Sequence, residues 1–366
     1  MKIHILAGDL RYFNTKALLY PFLLNRESLA DSDIYYEIFS RSLDHIKDCD
    51  IVIIDSKVFR NLWGSDPNKA YESLSELGDG SQKTVWFNTG DSTGGVQKQV
   101  IDVVDRYYKG QLLKDRSQYE RPYYGGRIYT DYYHDQNGIR DDLEIYSPSL
   151  NQKQISKLRL SWNLGMNPCI TYAKNILGRF IRRSNVLRKL PAININAKKA
   201  TDHNRANFIC SRVKQSYSRS TVGYQRLQMS HYLEKYGCNT SRISMRNYYK
   251  ELHNSKYAIS PFGWGEICIR DFEAIVHGSV LLKPDVTHLE TWPNIYLNGE
   301  TYLSIPWDLE CFEEWYADKL LVKDHQKELS VMAIEQYVAS VGHAGTSKFV
   351  EKITELVKDL NYEDGI

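Results

Sequence analysis

Short apolar runs separated by stretches of helical spacing dominate the first hundred residues. Lys2–Leu6, Tyr35–Phe39, Ile51–Ile54 and Thr84–Phe87 read as buried strands. Between and after them, Thr15–Leu29, Ser40–Lys47, Lys69–Leu77 and Val96–Tyr107 place apolar residues three and four apart, as helices do. Strands alternating with helices of this length predict parallel βαβ units. The strands run into small or polar loops: Gly8-Asp9, Asp55-Ser56, and the stretch from Asn88 to Gly95. Open parallel sheets bind ligands outside the carboxyl ends of their strands. These loops therefore mark the ligand edge of a Rossmann-like unit.

Residues 111–150 are aromatic and irregular and are expected to form loops over that edge. Two helices are expected near 151–162 and 170–188, followed by Pro191 and a linker near 190–204. A second α/β pattern then begins. Its strands are expected at Ala206–Cys210, Arg242–Ser244, Tyr257–Ser260 and Ser279–Leu282, and its helices at Val222–Tyr236, Asn247–Asn254 and Cys268–His277. The tail from Asp308 to Leu360 reads as three helices, broken at 322–324 and 342–345. The expected fold class is α/β, with two sequential Rossmann-like domains. The first covers residues 1–190, including a basic helical segment at 151–190. The second covers 191–366 and carries the helical tail.

Composition narrows the class. Of 366 residues, 42% are hydrophobic and 25% charged, which excludes a disordered or fibrous chain. The 47 Lys and Arg nearly balance the 45 Asp and Glu, which argues against a dedicated nucleic-acid binder. The balance hides an asymmetry. Residues 151–200 contain eleven Lys and Arg and no acid, so the remainder is net acidic. No window reaches the roughly 18 apolar residues that a membrane span needs, and the first residues lack a signal-peptide pattern. The six cysteines are scattered without a CxxC pair, as in a reduced cytosolic protein. Ala7-Gly8-Asp9-Leu10 after the first strand is not GxGxxG, which disfavours a dehydrogenase.

The densest chemical signal runs from Tyr257 to Gly278. A short strand enters a loop with Gly263 and Gly265 and continues directly into an amphipathic helix. Backbone N–H groups at such glycines, with the helix N-terminus behind them, suit a phosphate or pyrophosphate. Arg270 and Glu273 are three apart and share a helix face. Glu273 could accept from a ribose hydroxyl; the alternative is a surface Arg–Glu ion pair.

This segment resembles the donor site of nucleotide-sugar glycosyltransferases of the two-Rossmann (GT-B) kind, in the group 1 and exostosin-like families. Their pattern is a Gly-rich loop, then Ser-x-Arg-x-x-Glu, a small-residue helix end and an apolar strand. Cys268, Arg270 and Glu273 occupy those three positions. Two departures stand out: the Ser position is Cys268, and the earlier Glu of the group 1 pattern falls on Gly265, with Glu266 one step away. Lys283–Pro293, Trp86–Gly94 and Leu112–Arg116 also look like bacterial surface-polysaccharide transferases. The resemblance implies two domains facing across a cleft and transfer of a sugar from a nucleotide-sugar donor to a glycan. It also implies an acceptor that can be lipid-linked, in surface polysaccharide synthesis.

Further roles follow from that expectation. Arg219 and Arg226, in and after the loop beyond the second domain's first strand, are candidates for the donor diphosphate, with Arg212 behind them and Lys283 as a weaker one. A general base on the acceptor side is expected at Asp91, then at Asp9; Asp91 could instead cap the following helix. Asp131 and His134 are acceptor-binding candidates. Asp31-Ser32-Asp33 and Asp48-Cys49-Asp50 precede their strands, at the wrong sheet edge for a metal, so no metal and no cofactor are expected. The acid-free stretch at 151–200 suits an anionic membrane surface, which places the protein in the cytoplasm against the inner face of the membrane. The rival expectation is a non-catalytic nucleotide- or glycan-binding relative. No nucleic-acid partner is expected.

Overall fold

The computed structural model describes residues 1–40, 44–167, 170, 195–213, 216–318 and 325–361. Its strands in chain order are β1 (Lys2–Leu6), β2 (Tyr35–Phe39), β3 (Ile51–Asp55), β4 (Lys83–Asn88), β5 (Arg106–Lys109), β6 (Gln111–Leu113), β7 (Leu158–Leu160), β8 (Asn207–Cys210), β9 (Ser255–Ile259), β10 (Val280–Pro284), β11 (Leu289–Thr291) and β12 (Tyr302–Ile305). One wholly parallel sheet has the order β2-β1-β3-β4-β5-β7, and a second has the order β12-β10-β9-β8. The molecule is α/β with two Rossmann-like units, as the sequence pattern implies.

Both faces of the first sheet are covered, which is why β3 is an uninterrupted buried run of apolar residues ending in Asp55. The helix Pro67–Gly78 shows how local signals set an element. Asp66 accepts from the Lys69 N–H at 3.1 Å, Pro67 fills the first turn, and Ala70, Leu74 and Leu77 face the core.

Several expected elements differ. The helix expected over Thr15–Leu29 is two, Phe13–Leu24 and Arg26–Ala30, divided at Asn25. Asn25 turns its own backbone N–H (3.1 Å) and side-chain amide (2.8 Å) onto the Pro21 carbonyl. The helix expected over Val96–Tyr107 is only Lys98–Val103, because Tyr107 and Tyr108 are buried in β5. Residues 151–162 give one turn, Gln152–Ile155, before β7. The stretch 111–150 holds β6 and the helix Ile128–Asn137, which ends at Gly138 with φ +65°. Ser40–Lys47 contributes only the short turn Asp44–Lys47. Arg242–Ser244 is not a strand: the Ser244 hydroxyl caps the helix Met245–Asn254. The helix expected at 170–188 lies outside the described residues, Ile170 apart.

A strand pairing and the last helix are among the ties between the two units. β6 pairs antiparallel with β11, and the last helix, Thr346–Asn361, returns to the first sheet. There Phe349 packs edge-on against Phe22 and Trp162, and Asp359 pairs with Arg106 and Arg159, each at 2.8 Å. Among the described residues no helix is long and apolar enough to cross a membrane.

Candidate functional site

At the carboxyl edge of the first sheet, the buried Asp55 carboxylate organises the loops. It accepts from the hydroxyls of Thr15 (2.6 Å) and Thr89 (2.9 Å) and from the N–H groups of Gly8 (3.2 Å) and Lys57 (3.0 Å). A cleft of about 410 Å3 opens beside it, lined by residues that include Tyr12, Asn14, Lys57, Arg60, Trp63 and Asp91. The exposed Asp91 carboxylate accepts from the Asn14 amide at 3.2 Å, while its backbone carbonyl accepts from Gln111 at 2.6 Å. Asp9 is turned onto Arg11 at 2.5 Å, and those hydrogen bonds hold its carboxyl below the ordinary aspartate value.

In the second unit, β9 runs through the Gly263-Trp264-Gly265 loop into the helix Ile269–Val276. Its first turn is closed by Asp271, which accepts from the Cys268 N–H at 3.0 Å. The same carboxylate pairs with the fully buried Lys283 at 3.0 Å and accepts from Tyr296 at 2.8 Å and Ser260 at 2.5 Å. Arg226 is buried, its guanidinium 5.3 Å from the centre of the Tyr217 ring and bonded to carbonyls. It donates to Phe262, to Pro261 at 3.2 Å and to Val213 at 3.4 Å, and no carboxylate pairs with it among the described residues. Burial, reinforced by the nearby Arg270 cation, pushes the Arg226 pKa down. Arg270 itself has a buried Nη1 without a hydrogen-bond partner among the described residues. Burial works against its charge, but Tyr248, Cys268 and Glu273 outweigh it and raise its pKa. Glu273 accepts from the Tyr249 hydroxyl at 2.7 Å.

The carboxyl-end loops of the two sheets meet face to face. A Cβ on Gly265 would stand 1.8 Å from the Asp91 carbonyl oxygen, so this glycine is required by close approach of the Asp91 backbone. The next residue, Glu266, is fully buried and accepts from the Thr93 N–H (3.0 Å) and hydroxyl (2.9 Å). Lys109 lies under the same loop, donating to the carbonyls of Ser92 (3.1 Å) and Gly95 (2.6 Å). Burial brings its pKa down to about 8, against the opposing pull of Glu266. Tyr129 donates to the Gly263 carbonyl at 2.5 Å and Arg127 to that of Trp264 at 2.6 Å.

No protein-family model matches the chain, and no curated protein does. Among solved structures it is similar to a glycosyltransferase from Rickettsia africae ESF-5, at 10% identity over 99% of each chain with a TM-score of 0.44. It is also similar to HepE of Anabaena in complex with UDP, at 9% identity over 98% of this chain and 100% of that one, with a TM-score of 0.42. A third is an alpha-glucosyltransferase in complex with UDP and a 13-mer DNA, at 11% identity over 98% and 99%, with a TM-score of 0.42. These likenesses are loose, and the ligands named belong to those proteins.

The candidate residues thus fall into two groups. Gly263, Gly265, Arg226, Arg270 and Glu273 lie on and under one loop, with Asp91 against it. The others are engaged elsewhere. Lys283 is in the core pair with Asp271. Arg219 joins Asp141 at 2.7 Å and the Gly125 carbonyl at 3.0 Å. Arg212 is bound to Glu251 at 2.6 Å. Asp131 accepts from the Tyr124 N–H (2.7 Å) and Arg121 (2.9 Å), and His134 stacks on Tyr124 and bonds the Ile139 carbonyl at 2.9 Å. The sequence reasoning missed Lys57, Arg60 and Asn14. Lys57 stands two residues beyond the end of β3, so the strand-end rule that selected Asp9 and Asp91 would also have selected it.

Proposed function

We propose that the protein transfers a sugar from a nucleoside-diphosphate sugar to a hydroxyl of a glycan acceptor. The observation that carries this reading is the excess of positive charge under the Gly263–Gly265 loop. Among the described residues no carboxylate pairs with Arg226, Asp271 is taken up by Lys283, and one guanidinium N–H of Arg270 is buried without an acceptor. Leaving a buried cation short of partners is costly, and a diphosphate would supply what is missing. Arg226 acts as a positioning residue, its guanidinium holding the carbonyls of Pro261 and Phe262 so that the loop keeps its shape. Glu273, steadied by Tyr249, is placed for a ribose hydroxyl.

Asp91 supplies the opposite face. Its exposed carboxylate lies where the first unit abuts Gly265. In the transfer, the bond between the sugar C1 and the diphosphate oxygen breaks, and a bond between C1 and the acceptor oxygen forms. The acceptor proton goes to Asp91, and the leaving diphosphate keeps the electron pair, stabilised by the Arg270 cation. No metal is needed in this scheme, because side-chain cations take the charge.

The surface-polysaccharide pathway, a lipid-linked acceptor and a cytoplasmic location at the inner membrane face belong to the same proposal and rest on the sequence resemblance and on the acid-free stretch. Within that stretch Lys157 and Arg159 are already engaged, with the Ile101 and Val104 carbonyls and with Asp359; residues 171–194 lie outside the described residues. The test is release of nucleoside diphosphate from a panel of UDP-, GDP-, ADP- and TDP-sugars, with and without mixed glycan acceptors. One donor should turn over, and Asp91→Asn should lower turnover by about two orders of magnitude or more while leaving donor binding intact. Donor binding without turnover in the wild type would favour the non-catalytic relative.

A further inference from the structure

The cleft of the first unit contains chemistry that a neutral sugar does not need. Lys57 and Arg60 line it, and neither has an ion-pair partner among the described residues. The Arg60 guanidinium lies over the Tyr12 ring, 4.9 Å from its centre, which orients it without neutralising it. The acids nearby do not balance them. Asp9 is neutralised by Arg11, and buried Asp55 is saturated by two hydroxyls and two N–H groups. Asp91 is the one carboxylate in the cleft lining. The walls also hold two unmet polar atoms: the Trp63 indole N–H and the Gln97 side-chain oxygen are buried without hydrogen-bond partners among the described residues.

We infer that this cleft takes an acidic sugar, its carboxylate or phosphate held by Lys57 and Arg60 and a hydroxyl directed to Asp91. The inference rests on the transferase reading and names the class of its acceptor. The two cations of the lining would hold the acidic group, and Asp91, which accepts from Asn14, would take the hydroxyl.

The experiment uses the full chain and ligand-observed NMR titrations at low salt, with methyl glucuronoside, glucose 6-phosphate and neutral methyl glucoside as probes. At least one acidic probe should bind roughly tenfold more tightly than methyl glucoside, and added salt should weaken it. Preference for the glucuronoside assigns a carboxylate, and preference for glucose 6-phosphate assigns a phosphate. Lys57→Met/Arg60→Met should abolish the preference, and the charge reversal Arg60→Glu should invert it. Arg270→Met, in the other unit, should leave it unchanged. Equal binding of all three probes, or a preference that survives in Lys57→Met/Arg60→Met, overturns the inference. UDP, GDP, ADP and TDP titrated into the same samples keep the two readings apart. Nucleotide binding without acid preference overturns only the acceptor class, and acid preference without nucleotide binding overturns the transferase reading.

Discussion

Replacing Lys283 by Met should destabilise the protein by about 3 kcal/mol while leaving nucleotide affinity nearly unchanged. The Lys283 amine is 3.0 Å from Asp271, and both side chains are fully buried. Removing one partner of a buried ion pair typically costs about 3–5 kcal/mol, because the other charge is left uncompensated. Asp271 would retain three donors, the Ser260 and Tyr296 hydroxyls and the Cys268 N–H, which places the expected cost at the lower end. Met preserves most of the aliphatic stem, so little cavity cost is added. Urea unfolding followed by far-UV circular dichroism reads the change. The double variant Lys283→Met/Asp271→Asn, which carries neither charge, should regain part of the loss. A cost below about 1 kcal/mol, together with a roughly tenfold loss of nucleotide affinity, would refute the reasoning and return Lys283 to the donor site.

Other consequences follow from the same contacts. Gly265→Ala must push the Asp91 backbone away and with it the two Glu266–Thr93 hydrogen bonds, each worth about 1.5–3 kcal/mol when made to a charged group; the variant should be less stable and more open by small-angle scattering, and an unchanged profile would contradict the close approach. Lys109, with a pKa of about 8 in the folded protein against 10.5 for an ordinary lysine, gives stability a sign that can be checked. Below pH 8 both states carry the proton, and above it the unfolded chain retains a proton that the folded one has lost. Stability should therefore rise by about 2 kcal/mol from roughly pH 8 to 9.5, and Lys109→Met should flatten that rise; an identical slope in the variant would refute the assignment. At Asp359, burial raises the pKa, but the hydrogen bonds from Arg159 and Arg106 outweigh it and leave the carboxyl below 3.8. Its stabilisation is present above about pH 4 and is lost as pH falls through the folded value. Asp359→Asn should loosen the last helix, seen as faster hydrogen exchange across 346–361 with no change in the second sheet.

How far the sequence could be read depends on where each residue's partners lie. β1 and β2 were legible to the residue because their apolar runs are bounded by polar turns. β5 was not: Arg106-Tyr107-Tyr108-Lys109 ends in two cations, and both are buried only because Asp359 and the carbonyls of Ser92 and Gly95 receive them. A partner 253 residues away leaves no local trace. The Gly-Trp-Gly loop was visible as a candidate site, but the reason for Gly265 was not, since its constraint is the backbone of Asp91 in the other unit. Charge alone could not separate Arg226 and Arg270, which remain short of carboxylates, from Arg219, Arg212 and Lys283, which have them. Pairing is decided by tertiary placement, and so is the role of each cation.

The most direct measurement is calorimetric titration of UDP, GDP, ADP, TDP and CMP into the wild type, Arg270→Met and Glu273→Gln. The account predicts that one diphosphate binds selectively and that CMP does not. Arg270→Met should weaken that binding roughly tenfold or more (about 1.4 kcal/mol), and Glu273→Gln should weaken it less, because Gln retains one acceptor for the ribose. Binding of none of these nucleotides by the folded wild type, or binding that Arg270→Met leaves intact, would contradict the assignment of the Gly263–Glu273 segment as the donor site.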